Sequence, residues 1–118
     1  MKAILIFDEN VGTGTVYSLP EFNRFLGMYD KYSFHIVCSA SSSAGTVTVD
    51  LEHGSDERNW ASKYAAGNEG TCTTSTTAQT SGLGTDLGTT VSQGFGRIGV
   101  SNSAGICRVK VWATGRNA

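Results

Sequence analysis

Apolar and polar residues alternate along two pairs of short runs, and this alternation is the strongest signal in the chain. In TVTVDLEH, residues 46–53, Val47, Val49, Leu51 and His53 share one face while Thr46, Thr48, Asp50 and Glu52 share the other. In KYSFHIVCSA, residues 31–40, Tyr32, Phe34, Ile36 and Cys38 form a matching apolar face. The SSSAG between the two runs predicts a hairpin. A one-residue slip would turn one face over, so burying both faces together restricts the register. A tight connection sets Cys38 against Val47, Ile36 against Val49 and Phe34 against Leu51, with His35 opposite Asp50 on the outer face.

A second hairpin is predicted at the C-terminus, where GFGRIGVS and ICRVKVWATG flank the turn residues NSAG. Ile98 and Val100 point the same way as Cys107, Val109, Val111 and Ala113. The other face then carries Phe95 opposite Trp112 and Arg97 opposite Lys110, with Arg108 alongside. It is half aromatic and half basic.

The remaining segments are less regular. Ala3 to Phe7 reads as a short strand, and DENVGTG after it as turn chemistry. SLPEFNRFLG offers a Ser-x-x-Glu capping box at Ser18 and Glu21 and places Phe22, Phe25 and Leu26 at helical spacing, which predicts a short helix or an irregular entry segment. HGSDERNWASKYAAG reads as a polar turn followed by a strand carrying Trp60 and Tyr64. From Gly70 to Gln93 the only large aliphatic residues are Leu83, Leu87 and Val91, a pattern of thin edge strands plus a long loop. The expectation is one all-β domain, residues 1–118, built as an antiparallel sandwich or jelly roll, with 8–30 and 70–93 as candidate arms or loops.

Composition supports a folded, turn-rich β protein: Gly, Ser and Thr number 15, 13 and 14 among 118 residues, and Pro occurs once. Charged residues are 16% and the formal net charge is -1, so no global basic field is available to hold nucleic acid or an anionic membrane. The opening MKAILIF has too short an apolar run for a signal peptide or a membrane span, so synthesis and first folding in the cytosol are expected. Cys38, Cys72 and Cys107 are an odd count without CxxC or Cys/His ligand spacing, which argues against zinc and against a complete disulfide framework. The registers above bury Cys38 and Cys107, whereas Cys72 lies in the polar segment and is expected to be the most reactive thiol.

Candidate chemistry is sparse. GFGRIG, residues 94–99, matches the glycine spacing of a dinucleotide-binding loop, but that loop needs a buried strand before it, a helix after it and an acid about 20 residues on. Here the following residues alternate as a strand, and the 19 residues after Gly99 contain no Asp or Glu. His35 with Asp50 could orient an imidazole, yet no nucleophile elbow accompanies them. Asp8 with Glu9, and Asp56 with Glu57, read as solvated turn acids, since the spacing of a calcium loop is absent. No cofactor or metal is expected. The face of Phe95, Arg97, Arg108, Lys110 and Trp112 is the candidate interface, because aromatic and Arg residues concentrate where surfaces meet. Two other readings of this face are a layer packed beneath the second sheet and a platform for sugar or single-stranded nucleic acid.

TVTVDLEHGSDERNWASK, together with the closing CRVKVWATGRNA, resembles small β-sandwich proteins encoded among the structural genes of tailed phages and prophages, such as head decoration, cement and related virion accessory subunits. The matching features are the strand Val49 to His53, the turn at Ser55 and Asp56, Trp60, and the last strand Val109 to Arg116, about half the chain. The resemblance implies a non-enzymatic structural subunit, made and assembled in a host cytoplasm and resident in the virion. Its partners would be copies of itself and a capsid or other virion protein. The competing reading is a carbohydrate-binding or adhesion module in which Trp112, Phe95 and Trp60 stack on sugar rings.

Overall fold

A computed structural model describes residues 2–62, 70–75, 79–83 and 94–116. Its strands in chain order are β1 (Ile4–Val11), β2 (Val16–Tyr17), β3 (Lys31–Cys38), β4 (Gly45–Gly54), β5 (Ala61–Ser62), β6 (Gly70–Thr74), β7 (Gln79–Leu83), β8 (Phe95–Asn102) and β9 (Cys107–Arg116). A 3-10 turn (Pro20–Phe22) leads into the short helix α1 (Asn23–Leu26). The fold is an all-β antiparallel sandwich. One sheet runs β1-β9-β3-β7, and the other runs β2-β8-β4-β5 with β6 also paired to β4.

The alternation read from the sequence assigns inward faces correctly. Phe34, Ile36 and Cys38 of β3 and Val109, Val111 and Ala113 of β9 are buried from one sheet, and Val47, Val49, Leu51, Ile98 and Val100 from the other. The pairing is different from the expected hairpins. β3 pairs with β9, setting Cys38 against Val109 and Phe34 against Ala113, while β4 pairs with β8, setting Val47 against Asn102 and Leu51 against Ile98. The segments 39–44 and 103–106 therefore cross from one sheet to the other as arches. Strands β3 and β4 face each other through the core rather than lying side by side, and so do β8 and β9.

The physical reason is that a hairpin would leave each pair's apolar face uncovered until another layer arrived, whereas an arch turns the two faces toward each other. Each strand then finds its backbone partner in the other arch. The arches are joined where they cross: Ser103 N donates to Thr46 O, Thr46 N to Ser103 Oγ, Ser39 N to Arg108 O, and Arg108 N to Ser39 Oγ.

The N-terminal segment is part of the body. β1 continues past Phe7 to Val11, through the residues read as a turn, and a register shift between Leu5 and Phe7 lets both Ile6 and Phe7 be buried. Residues 12–30 then pass onto the second sheet and close one end of the sandwich, where Leu26 is buried and Phe25 and Tyr29 pack edge-on around Tyr32. The predicted helix exists, but the capping box does not form. Ser18 instead exchanges hydrogen bonds with β8, its N donating to Ile98 O and its Oγ accepting from Ile98 N. Residues 8–30 are thus tied down rather than extended as an arm.

In the Thr-rich segment, β6 and β7 are edge strands on β4 and β3. Of the strand expected to carry Trp60 and Tyr64, only the two residues of β5 are described as strand; they begin just after Trp60, which precedes the strand. Tyr64, Leu87, Val91 and residues 84–93 lie outside the described residues.

Candidate functional site

The crossing arches divide the candidate interface between two surfaces. Phe95 and Arg97 lie on the outer face of β8 in the second sheet. Arg108, Lys110 and Trp112 lie on the outer face of β9 in the first. Phe95 is across from Gly54 and Arg97 from Glu52, not from Trp112 and Lys110, because β8 and β9 share no backbone pairing. The five residues form no single patch. His35 is likewise separated from Asp50 and faces Trp112, with ring centroids 5.8 Å apart.

On the first sheet the basic residues are matched by the acids of β1. Arg108 Nε donates to Asp8 Oδ1 at 2.7 Å and its Nη2 to Asp8 O at 3.0 Å. The Arg108 hydrogen bond, helped by the charges of Arg108 and Lys110, holds the Asp8 carboxyl below the ordinary carboxylate value, and Asp8 raises Arg108 in return. Arg108 is thus ion-paired, and Lys110 stands exposed opposite Asp8 on β1.

The outer face of the second sheet is built in cross-strand rows. One row is Arg97, Glu52 and Ser62; the next is Tyr17, Gly99 and Asp50. Arg97 Nε donates to Glu52 Oε1 at 2.6 Å, and its guanidinium lies 3.8 Å from the Tyr17 ring centre and 4.7 Å from that of Trp60. Ser62 Oγ donates to Asp50. Beside Gly99 is an open depression of about 200 Å³, walled by Tyr17 and Thr15 on one side and by Asp50, Glu52 and Thr48 on the other.

GFGRIG acquires a structural role here. A Cβ on Gly96 would overlap the Leu26 carbonyl, so the bare backbone admits α1 to the end of the sandwich. A Cβ on Gly99 would press within 3.1 Å of Thr15 and Tyr17, so this glycine gives Tyr17 its seat and makes the floor of the depression.

A second concavity, about 170 Å³, opens between the β1 edge and the segment around β2, lined by Leu5, Ile6, Phe7, Tyr17, Leu19 and Phe22 with Glu9 and Glu21 nearby. Ile4, Leu5, Tyr17 and Leu19 are 40%, 37%, 43% and 51% exposed, high for large apolar side chains at the open edge of a sheet. Sequence reasoning missed this region because Leu5 and Leu19 belong to no sustained periodic run.

Cys72 corrects another expectation. It is 4% exposed, on β6 opposite Val47, and joins Cys38 and Cys107 in the core as one of three free buried thiols. Burial pushes the Cys38 thiol well up, aided by the neighbouring thiols of Cys72 and Cys107, and burial also raises Cys107. The polar flanks of Cys72 point outward from an edge strand and hid its inward position.

Among the described residues no helix is long and apolar enough to cross a membrane, and no group of three or more His, Cys, Asp or Glu is arranged to hold a metal ion. Comparison with protein-family models, curated proteins and solved structures finds no match for the chain.

Proposed function

We propose that the protein is a non-enzymatic structural subunit that assembles with copies of itself through the β1 edge, in the manner of a decoration or cement subunit of a phage-like particle. The observation that carries this reading is the β1 edge, which no other strand pairs among the described residues, flanked by exposed Ile4, Leu5, Tyr17 and Leu19. An open edge offers a row of backbone donors and acceptors, and the adjoining apolar groove supplies area to remove from water, roughly 25 cal/mol per Å². A two-fold axis makes β1 antiparallel to its own copy, the geometry β1 already adopts with β9. Centring that axis between Leu5 and Ile6 sets Lys2 of one copy against Glu9 of the other. The net charge of -1 adds little repulsion between copies. The phage setting rests on the sequence resemblance; the edge and groove support self-assembly.

Light scattering coupled to size-exclusion chromatography tests the proposal. Dimers or larger assemblies are expected for the wild type, with dissociation in Leu5→Lys while the melting temperature is retained. A wild-type chain that stays monomeric at high concentration and does not bind purified phage capsids overturns it.

A further inference from the structure

We infer that the depression beside Gly99 on the outer face of the second sheet is a binding subsite for one ring of a neutral saccharide. The inference shares Tyr17 with the assembly reading, whose other residues lie toward the β1 edge, whereas Asp50, Thr48 and Ser101 belong to this depression alone, so Asp50→Ala and Leu5→Lys test the two separately. It also uses a different set of residues from the platform of Trp112, Phe95 and Trp60 considered from sequence, since Trp112 lies on the opposite sheet.

The lining selects the ligand class. Asp50 and Glu52 sit two residues apart on the same face of β4, and each engages one partner, Ser62 and Arg97 respectively. As ionised carboxylates they are acceptors only, so they need a ligand rich in hydroxyl donors. Thr48 and Ser101, neighbours on adjacent strands, bring hydroxyls that both donate and accept, and Thr15 adds another at the rim. Tyr17 provides an aromatic wall, 43% exposed, suited to the C–H face of a sugar ring. A phosphate-bearing or carboxylated ligand would meet two fixed negative charges. Among the described residues the cation beside it, Arg97, is already held by Glu52 and stacked on Tyr17 and Trp60.

Size and shape agree with this class. At about 200 Å³ the depression is smaller than a drug-sized pocket and suits a single small ring. Tyr17 is positioned by direct pairing with Gly99, whose missing side chain leaves room for the ring beside the depression. Arg97 contributes as a positioning residue: it braces the Tyr17 ring and fixes Glu52 without entering the depression.

An amide-resolved NMR titration tests the inference, using the methyl glycosides of glucose, galactose, mannose, rhamnose and N-acetylglucosamine as probes. At least one glycoside is expected to give saturable shifts at Tyr17, Thr48, Asp50, Gly99 and Ser101, with a Kd in the millimolar range, about −4 kcal/mol, as befits one ring in an open site. Asp50→Ala should weaken that binding at least about fivefold while leaving the melting temperature near the wild-type value. Tyr17→Ala should weaken it similarly, with Asp50→Ala as the safeguard if loss of Tyr17 loosens β2. Absence of saturable shifts with all five glycosides, unchanged binding in Asp50→Ala, or the same shifts produced by calcium chloride alone would each overturn the assignment.

Discussion

Arg97 reaches across one strand gap to Glu52, Nε to Oε1 at 2.6 Å, and this pair fixes how the second sheet presents its outer face. Both side chains are partly covered, at 25% and 18% exposure, and the guanidinium also stacks on Tyr17 and Trp60. Arg97→Ala should destabilise the fold by about 1–2 kcal/mol, combining a partly shielded ion pair with two ring contacts. Arg97→Lys should recover only part of this, because an ammonium cannot stack as a planar guanidinium does. Urea unfolding with an unchanged m-value is the check.

Gly96 and Gly14 should respond in opposite ways to alanine. At Gly96 the new methyl collides with the Leu26 carbonyl, so Gly96→Ala should cost about 1–3 kcal/mol as an overpacking substitution. At Gly14 nothing lies within 4 Å of a new Cβ, and Gly14→Ala should change stability by less than about 0.5 kcal/mol. Equal losses at both positions would show that α1 does not sit on β8 as described.

All three thiols should resist labelling in the native protein and react together on unfolding, with Cys72 no faster than Cys107. The Cys38 thiol is raised by burial above its ordinary value of 9.0, so the folded state holds that proton more tightly than the unfolded chain does. Stability from this source is complete below pH 9 and declines as pH rises beyond it. Comparing unfolding midpoints of wild type and Cys38→Val between pH 7 and 10 isolates the effect; the variant should show the shallower decline.

The Asp8 carboxyl should titrate below the ordinary 3.8 because Arg108 hydrogen-bonds its ionised form. A lowered folded value means that the pair supports the fold above the ordinary carboxylate pH and loses that support as pH falls through the lowered value. Carboxyl carbon NMR should show the Asp8 midpoint moving back toward 3.8 in Arg108→Ala.

The fold class and nearly all inward positions were legible because they depend on period-two alternation, which each strand carries within itself. Val47, Val49 and Leu51 announce their face without reference to any partner. Pairing is a relation between strands, and the runs around SSSAG and NSAG look the same whether the chain turns within a sheet or between sheets. That ambiguity moved Arg97 away from Lys110 and toward Glu52, and removed His35 from Asp50. The Gly99 depression was illegible for a related reason. Its parts come from β2, β4 and β8, and only the register brings Tyr17 and Asp50 to the two sides of one glycine.

The two arches also constrain when the molecule can fold. β9 follows every other strand in the chain yet lies between β1 and β3, so only the β3 and β7 ladder of the first sheet can form before residues 107–116 have been synthesised. Until they leave the ribosome, β1 has no backbone partner and its apolar residues stand open. Folding is therefore coupled to completion of this segment, and a nascent chain stalled before it would expose Ile6, Phe7 and Val11 to whatever chaperone or neighbouring chain meets them first.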